Sequence, residues 1–369
     1  MDSDKAWYEV RNGDNYDSPA LFIYPSRVLQ NIQKLTALIN TSLLRPHVKT
    51  NKIAEICLLM LGQGITKFKA ATIAEAEMLG IVKAPDVLLA YPLTIQKIKR
   101  LIRLIQSFPE TKFSCLVDSL EGVELLSDSF RSANLEAAVF IDLNVGMNRT
   151  GILPENAFQL FQQIVSLPNL KMLGLHAYDG HIRDMDFQSR LEKCQLAFEE
   201  VVKLRIAIEK YSGKPVVLIA GGSPTSFIHA SFADRECSPG TFIFWDKGYA
   251  EQLPEQPFEF AAVLFCRVVS IPDKERICVD LGYKSVAAEN PLPRVFFLNA
   301  QEAIPVAHSE EHLVLKVSDS SAFNIGDALY GVPWHICPTV ALYDNAFIVE
   351  NNRISGSWKV IARVRAINI

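Results

Sequence analysis

The chain has 369 residues, of which 49% are apolar and 21% charged, a balance that excludes a disordered, collagen-like or coiled-coil protein. Lysine and arginine total 37 against 41 acidic residues, for a net charge of −4. The longest basic run, Lys97–Arg103, is broken by apolar residues, so the stripe of a nucleic-acid binder is missing. No apolar run reaches the ~18–20 residues of a membrane span. The acidic, polar opening Met1–Asp17 reads as neither a signal nor a transit peptide. Seven widely spaced cysteines without a CxxC argue against a disulfide framework and for a reducing cytoplasm.

The first two thirds alternate β-branched runs with amphipathic stretches. Strands are predicted over Arg45–Thr50, Lys67–Thr72, Asp86–Pro92, Lys112–Asp118, Ala137–Val145, Lys171–Tyr178, Pro215–Gly222 and Arg235–Phe244. Several are apolar on both faces, as buried parallel strands are. Helical stripes lie between them: Ile53, Ile56, Cys57 and Met60, then Phe187, Leu191, Cys194, Phe198 and Val201. Pro154 and Pro224 are each predicted to open a helix. Eight strand-then-helix units predict a (β/α)₈ barrel over 20–255. A doubly wound sheet would need a glycine turn after its first strand, where this chain has Lys49-Thr50-Asn51-Lys52. From Pro254–Pro257 onward the pattern turns to short β-rich runs, among them Ala261–Ile271, Arg276–Leu281, Arg294–Leu298, His312–Val317, Ala328–Val332 and Trp358–Arg365, which predicts an all-β domain over 256–369. Residues 1–19 are expected to join that domain, and Ala20–Tyr24 is a candidate strand of it.

Barrels of this kind keep their chemistry at the C-terminal ends of the strands. At the first end stands Lys49, in Arg45-Pro46-His47-Val48-Lys49. A lysine partly desolvated at a barrel mouth is pushed toward the free amine that imine chemistry needs. Arg149 lies in the glycine-flanked loop after the fifth strand, and His176, Tyr178 and His181 cluster at the sixth. Gly221-Gly222-Ser223-Pro224-Thr225 and Ser238-Pro239-Gly240-Thr241 follow the seventh and eighth, where barrels build phosphate sites. In the second domain, His335 and Cys337 stand two apart and on an extended strand would chelate one ion.

These segments together resemble the D-threonine aldolase and D-serine dehydratase family, fold-type III pyridoxal phosphate enzymes with an alanine-racemase-like barrel. The resemblance rests on Arg45–Thr50, the Arg149 loop, the two small-residue turns and His335-x-Cys337, and so spans nearly the whole chain. It implies that Lys49 forms the imine with the cofactor, with His47 beside it. Arg149 would meet the phenolate oxygen, and Tyr178 or His176 the pyridine nitrogen. Gly222, Ser223, Thr225, Gly240 and Thr241 would hold the phosphate, and His335 and Cys337 a divalent metal, zinc with manganese or magnesium as alternatives. Asn51 departs from the family, which places a histidine there. The implied activity is a lyase on small D-3-hydroxy amino acids. The cysteine of the metal pair favours D-serine dehydratase-type β-elimination, with aldolase-type cleavage as the alternative. An amino-acid racemase would share the barrel but not need the metal pair, and a non-catalytic cofactor carrier would lack the β-domain. The resemblance also implies a homodimer.

Overall fold

The computed structural model describes residues 6–369. The first five residues of the segment 1–19 therefore lie outside the described residues. Contacts divide the chain into two units. One comprises the residues up to Leu35 together with Thr50–Ile56 and Thr241–Arg363; the other comprises Thr36–Lys49, Cys57–Gly240 and Val364–Ile369. By this division 20–35 and 241–255, read from the sequence as barrel, fall in the first unit.

In chain order the elements are β1 (Ala20–Ile23), α1 (Pro25–Leu38), α2 (Ala54–Gly62), β2 (Lys67–Ala70), α3 (Ile73–Ile81), β3 (Asp86–Pro92), α4 (Ile95–Ser107), β4 (Lys112–Val117), α5 (Leu120–Ser132), β5 (Ala137–Leu143), α6 (Pro154–Ser166), β6 (Leu170–Ala177), α7 (Phe187–Ser212), β7 (Val217–Ala220), α8 (Ser226–Ala230) and β8 (Arg235–Cys237). Strands β2 to β8 pair in sequence order, all parallel. Leu88, Leu116, Phe140 and Ile219 fill the space between them. Helices lay one apolar stripe on the outside, as Ile98, Leu101 and Leu104 of α4 do.

The predicted first strand, Arg45–Thr50, is not a regular strand. Pro46 has no N–H to give a ladder. The segment still bonds to both edges of the sheet. The Arg45 N–H donates to the Cys237 carbonyl and the His47 N–H to that of Pro239. On the other side the Val48 N–H donates to Lys69, and the Lys69 N–H to Pro46. Single parallel bridges at Leu44–Cys237 and His47–Lys69 complete the ring. Beneath them the fully buried Arg45 guanidinium meets Asp86 Oδ1 at 2.6 Å and Glu236 Oε2 at 2.7 Å, and Lys67 also bonds Glu236.

Other boundaries moved for local reasons. The predicted eighth strand stops at Cys237, because Pro239 cannot extend the ladder, and a 3₁₀ turn, Thr241–Ile243, follows. Pro154 does open α6, but α8 begins at Ser226 with Thr225 as its N-cap, and Pro224 lies in the turn before it. On α7 the buried stripe includes Arg190 and leaves Phe187 exposed, since the arginine donates to the Asp184 carbonyl at 2.5 Å.

The other unit holds α9 (Lys247–Gln252), β9 (Ala262–Asp273), β10 (Arg276–Val279), β11 (Val295–Phe297), β12 (Ile304–His308), β13 (Leu313–Lys316), β14 (Ala328–Pro333), α10 (Ile336–Val340), β15 (Asn345–Glu350) and β16 (Arg353–Lys359). Its sheet is mostly antiparallel. β1 pairs antiparallel with β9 and parallel with β15. β12 and β15 went unread in the sequence, and the predicted Trp358–Arg365 is the end of β16 followed by a 3₁₀ turn. None of the cysteines forms a disulfide, and no described helix is long and apolar enough to cross a membrane.

Removing one partner of a buried ion pair strands the others. Arg45→Met is expected to lower unfolding free energy by about 3–5 kcal/mol, read as a shift of the urea midpoint at unchanged slope.

Candidate active site

The barrel unit carries an open cavity of about 490 Å³, lined by His47, Lys49, Lys69, Asp142, Arg149, His176 and Tyr178 among others. Lys49 leaves the closing segment here, its N–H donating to His47 Nδ1 at 3.3 Å. The half-buried Tyr178 ring is the centre of the cavity. Lys49 Nζ lies 5.9 Å from its centroid, Lys69 Nζ 5.5 Å and Arg149 Cζ 5.3 Å. A Cβ on Gly180 would sit 2.3 Å from that ring, so the close approach requires glycine. His181 lies at the same strand end, with Nε2 2.7 Å from where a Cβ on Gly146 would be.

The desolvated amine at this mouth is not the one expected. Lys49 is exposed, whereas Lys69 on β2 is 2% exposed. Burial and the neighbouring Lys49 charge push Lys69 down to about 7, against the pull of Asp142 and Asp179. Its Nζ lies 3.4 Å from His176 Nε2. His176 Nδ1 is 2.7 Å from Asp142 Oδ1, and Thr150 donates to Asp142 Oδ2 at 2.9 Å. Burial and the Lys69 charge hold His176 below its ordinary range. Asp142, though buried, is held low by its bonds from His176 and Thr150. His176 is thus committed to a buried relay while Tyr178 faces the cavity. Lys69 and Asp142 went unread. The signal for Lys69 was a lysine at an inward position of a buried strand.

The turn after β7 is set from below. Gly221 adopts φ +71°, and a Cβ there would meet His229 and Thr225 Oγ1 at 2.7 Å. Thr225 Oγ1 accepts the Gly222 N–H at 3.3 Å and donates to Asp179 Oδ1 at 2.8 Å. Ser223 Oγ accepts the Gly240 N–H at 3.2 Å, tying together the turns after β7 and β8. Asp179 Oδ2 lies 2.7 Å from His229 Nε2, and Arg235 donates to His229 Nδ1 at 3.0 Å. Cys194 also bonds Asp179. Asp179, Cys194 and His229 cluster closely enough to suggest metal ligands. In this structure Cys194 and His229 each bond Asp179, with the Arg235 guanidinium behind His229. The two turns, the amine and the cation-ringed aromatic suit a planar, phosphorylated aldehyde.

In the other unit, His335 and Cys337 are not on an extended strand. β14 ends at Pro333, His335 is the N-cap of α10, and Cys337 lies in its first turn. They still face one another through a hydrogen bond. His335 Nδ1 lies 2.5 Å from Glu289 Oε1, and Cys337 Sγ is 3.1 Å from the Thr50 hydroxyl and 3.5 Å from that of Thr241. Burial lowers His335, but Cys337 and Glu289 outweigh it and raise it to about 9. Beneath them, burial pushes the Asp246 carboxyl up to about 6 against the N–H groups of Tyr249 and Ile336 that it accepts. Imidazole nitrogen and thiolate sulfur, with a carboxylate behind the histidine, are a donor set that suits zinc. Glu289 went unread, since nothing local marks it. Asn51 Oδ1 accepts the Ile53 N–H at 3.0 Å and so caps a turn.

A closed parallel barrel with an amine at its first strand end and small-residue turns at its last two defines a class of cofactor-binding barrel enzymes. The chain belongs to the family described as "Alanine racemase, N-terminal domain", whose model matches residues 23–247, and "Putative serine dehydratase domain" matches 261–349. It is 28% identical to a D-threonine aldolase of Arthrobacter over 87% of this chain and 85% of that one. It is 22% identical to a D-serine dehydratase of Dictyostelium discoideum over 94% and 97%. The D-threonine aldolase structure from Filomicrobium marinum superposes with a TM-score of 0.86 at 22% identity, over 97% and 98% of the two chains. The resemblance read from the sequence, the barrel with its strand-rich partner, and the lyase class are borne out.

Asp179 is buried, yet its bonds from His229 and Thr225 hold it below the ordinary carboxylate range. Its stabilising effect is present above about pH 4 and is lost as pH falls through that lowered value. Asp179→Asn should cost about 1–3 kcal/mol at pH 7. It should also flatten the acid limb of a stability–pH series, measured by urea unfolding at each pH.

Proposed function

We propose that the chain is a pyridoxal 5′-phosphate- and divalent-metal-dependent lyase for small D-3-hydroxy amino acids, favouring β-elimination of D-serine-type substrates to an oxo acid and ammonia. The observation that carries this reading is the Tyr178 ring ringed by Lys49, Lys69 and Arg149 in one cavity. The bound cofactor supplies an electron sink for bonds at the substrate Cα, and a bound metal supplies a Lewis acid for the β-hydroxyl.

Lys49 Nζ would hold the cofactor aldehyde and, once released, move the proton at Cα. His47 lines the pocket and receives the Lys49 N–H, so it orients that lysine. Arg149 would hold the phenolate oxygen. Tyr178 is favoured over His176 at the ring nitrogen, because His176 is committed to Asp142. Gly222, Ser223, Thr225, Gly240 and Thr241 would shape the phosphate site. The Thr225 hydroxyl acts through the turn, being engaged with Asp179. His335 and Cys337 would hold the metal, zinc above manganese or magnesium, with Glu289 orienting His335. The thiolate at position 337 favours elimination. The aldolase relative favours retro-aldol cleavage to glycine as the second reading. A cytoplasmic homodimer completes the proposal.

The test is an assay with D-serine, D-threonine and D-3-hydroxyaspartate, with and without chelator, scoring oxo acid against glycine. Oxo acid that disappears with chelator is expected; racemised product without metal dependence would sink the reading. Absorbance near ~420 nm should be lost in Lys49→Ala and fixed on Lys49 by borohydride. Glu289→Gln is expected to weaken metal affinity about 10–100-fold, measured by competition with a chromophoric chelator.

A further inference from the structure

The barrel mouth holds two amines, and the proposed function uses one. Lys69 is buried on a strand that could have carried a leucine there. Among the described residues no carboxylate lies within salt-bridge distance of it, and its nearest polar partner is His176 Nε2 at 3.4 Å. Asp142 takes the Nδ1–H of that ring at 2.7 Å, so Nε2 presents a lone pair and Lys69 is the donor. An amine that gives one N–H to His176 turns its own lone pair elsewhere, and Lys69 lines the cavity shared with Lys49.

We propose that Lys69 is a second working amine of this pocket, aimed by His176, and that it takes the proton an incoming amino acid must lose before its nitrogen can act as a nucleophile. The step rests on the function proposed above. It balances simply: the substrate ammonium gives up one proton and regains its lone pair, and Lys69 becomes an ammonium. The proton returns to solvent as product leaves. His176 and Asp142 are positioning residues in this scheme.

The surroundings fit such a role. Lys49 and Arg45 on the closing segment disfavour charge on Lys69, while Asp142 on β5 and Asp179 after β6 favour it. Arg149 and Tyr178 line the same cavity, the Tyr178 ring centroid 5.5 Å from Lys69 Nζ. The balance puts Lys69 near the midpoint of its titration at neutral pH, where an acceptor works best.

Two measurements decide it. In the cofactor-free protein, lysine ε-carbon NMR should show one resonance titrating near pH 7. That resonance should be missing in Lys69→Met and shifted in Asp142→Asn. In the loaded enzyme, Lys69→Met should lower kcat/KM on D-amino acid about 100-fold or more. Added methylamine should restore part of it, which a merely structural lysine would not allow. Borohydride should still fix the cofactor on Lys49 in that variant. Lys69 titrating near ~10 in an active enzyme, or a Lys69→Met variant with unchanged kcat/KM or a loss untouched by methylamine, overturns the proposal alone. A wild-type chain that fixes no cofactor and turns over no D-amino acid overturns the function as well.

Discussion

Ring closure at the segment Leu44–Lys49 is the constraint on which the barrel depends. A parallel sheet of seven strands has two open edges, and this segment supplies the missing bonds to both. Pro46 denies it a regular ladder, so side-chain ionic contacts carry the remaining specificity. Arg45 reaches Asp86 on β3 and Glu236 on β8 from one guanidinium. An arginine fork suits that task, because it can satisfy two carboxylates in fixed geometry. The same closure delivers Lys49 to the rim.

The cavity above this ring is an electrostatic compromise. Two lysines and an arginine converge on one aromatic ring, and Asp142 and Asp179 favour charge on Lys69 against Lys49 and Arg45. Unfilled, such a pocket repels its own members. An anionic guest of the kind proposed above would relieve that repulsion, and its binding would then stabilise the fold.

The barrel was legible because buried parallel strands write themselves as apolar runs, and Asp86–Pro92 was read to the residue. The placement of Lys49 and of the small-residue turns was legible because their markers are local: a strand end, a glycine pair, a proline. Lys69 and Asp142 were not. Each looks like an ordinary charged residue in a strand, and only the packing of β2, β5 and β6 around one axis puts them together. Glu289 was hidden for the same reason, lying 46 residues from the histidine it contacts. The His335-x-Cys337 pair was chosen on spacing, but the backbone that joins them is a helix start and not a strand.

Tyr178 and Asp179 are neighbours in the chain with opposite destinations. One ring faces the cavity; the next carboxylate lies fully buried among His229, Thr225 and Cys194. Adjacent positions after β6 thus serve two different environments, the cavity and the packing beneath the turn after β7. A substitution at position 178 therefore acts on the cavity and on the ring's packing against Gly222, while the Asp179 bonds that hold the turn from below stay in place, which makes this dipeptide a natural seam in the scaffold.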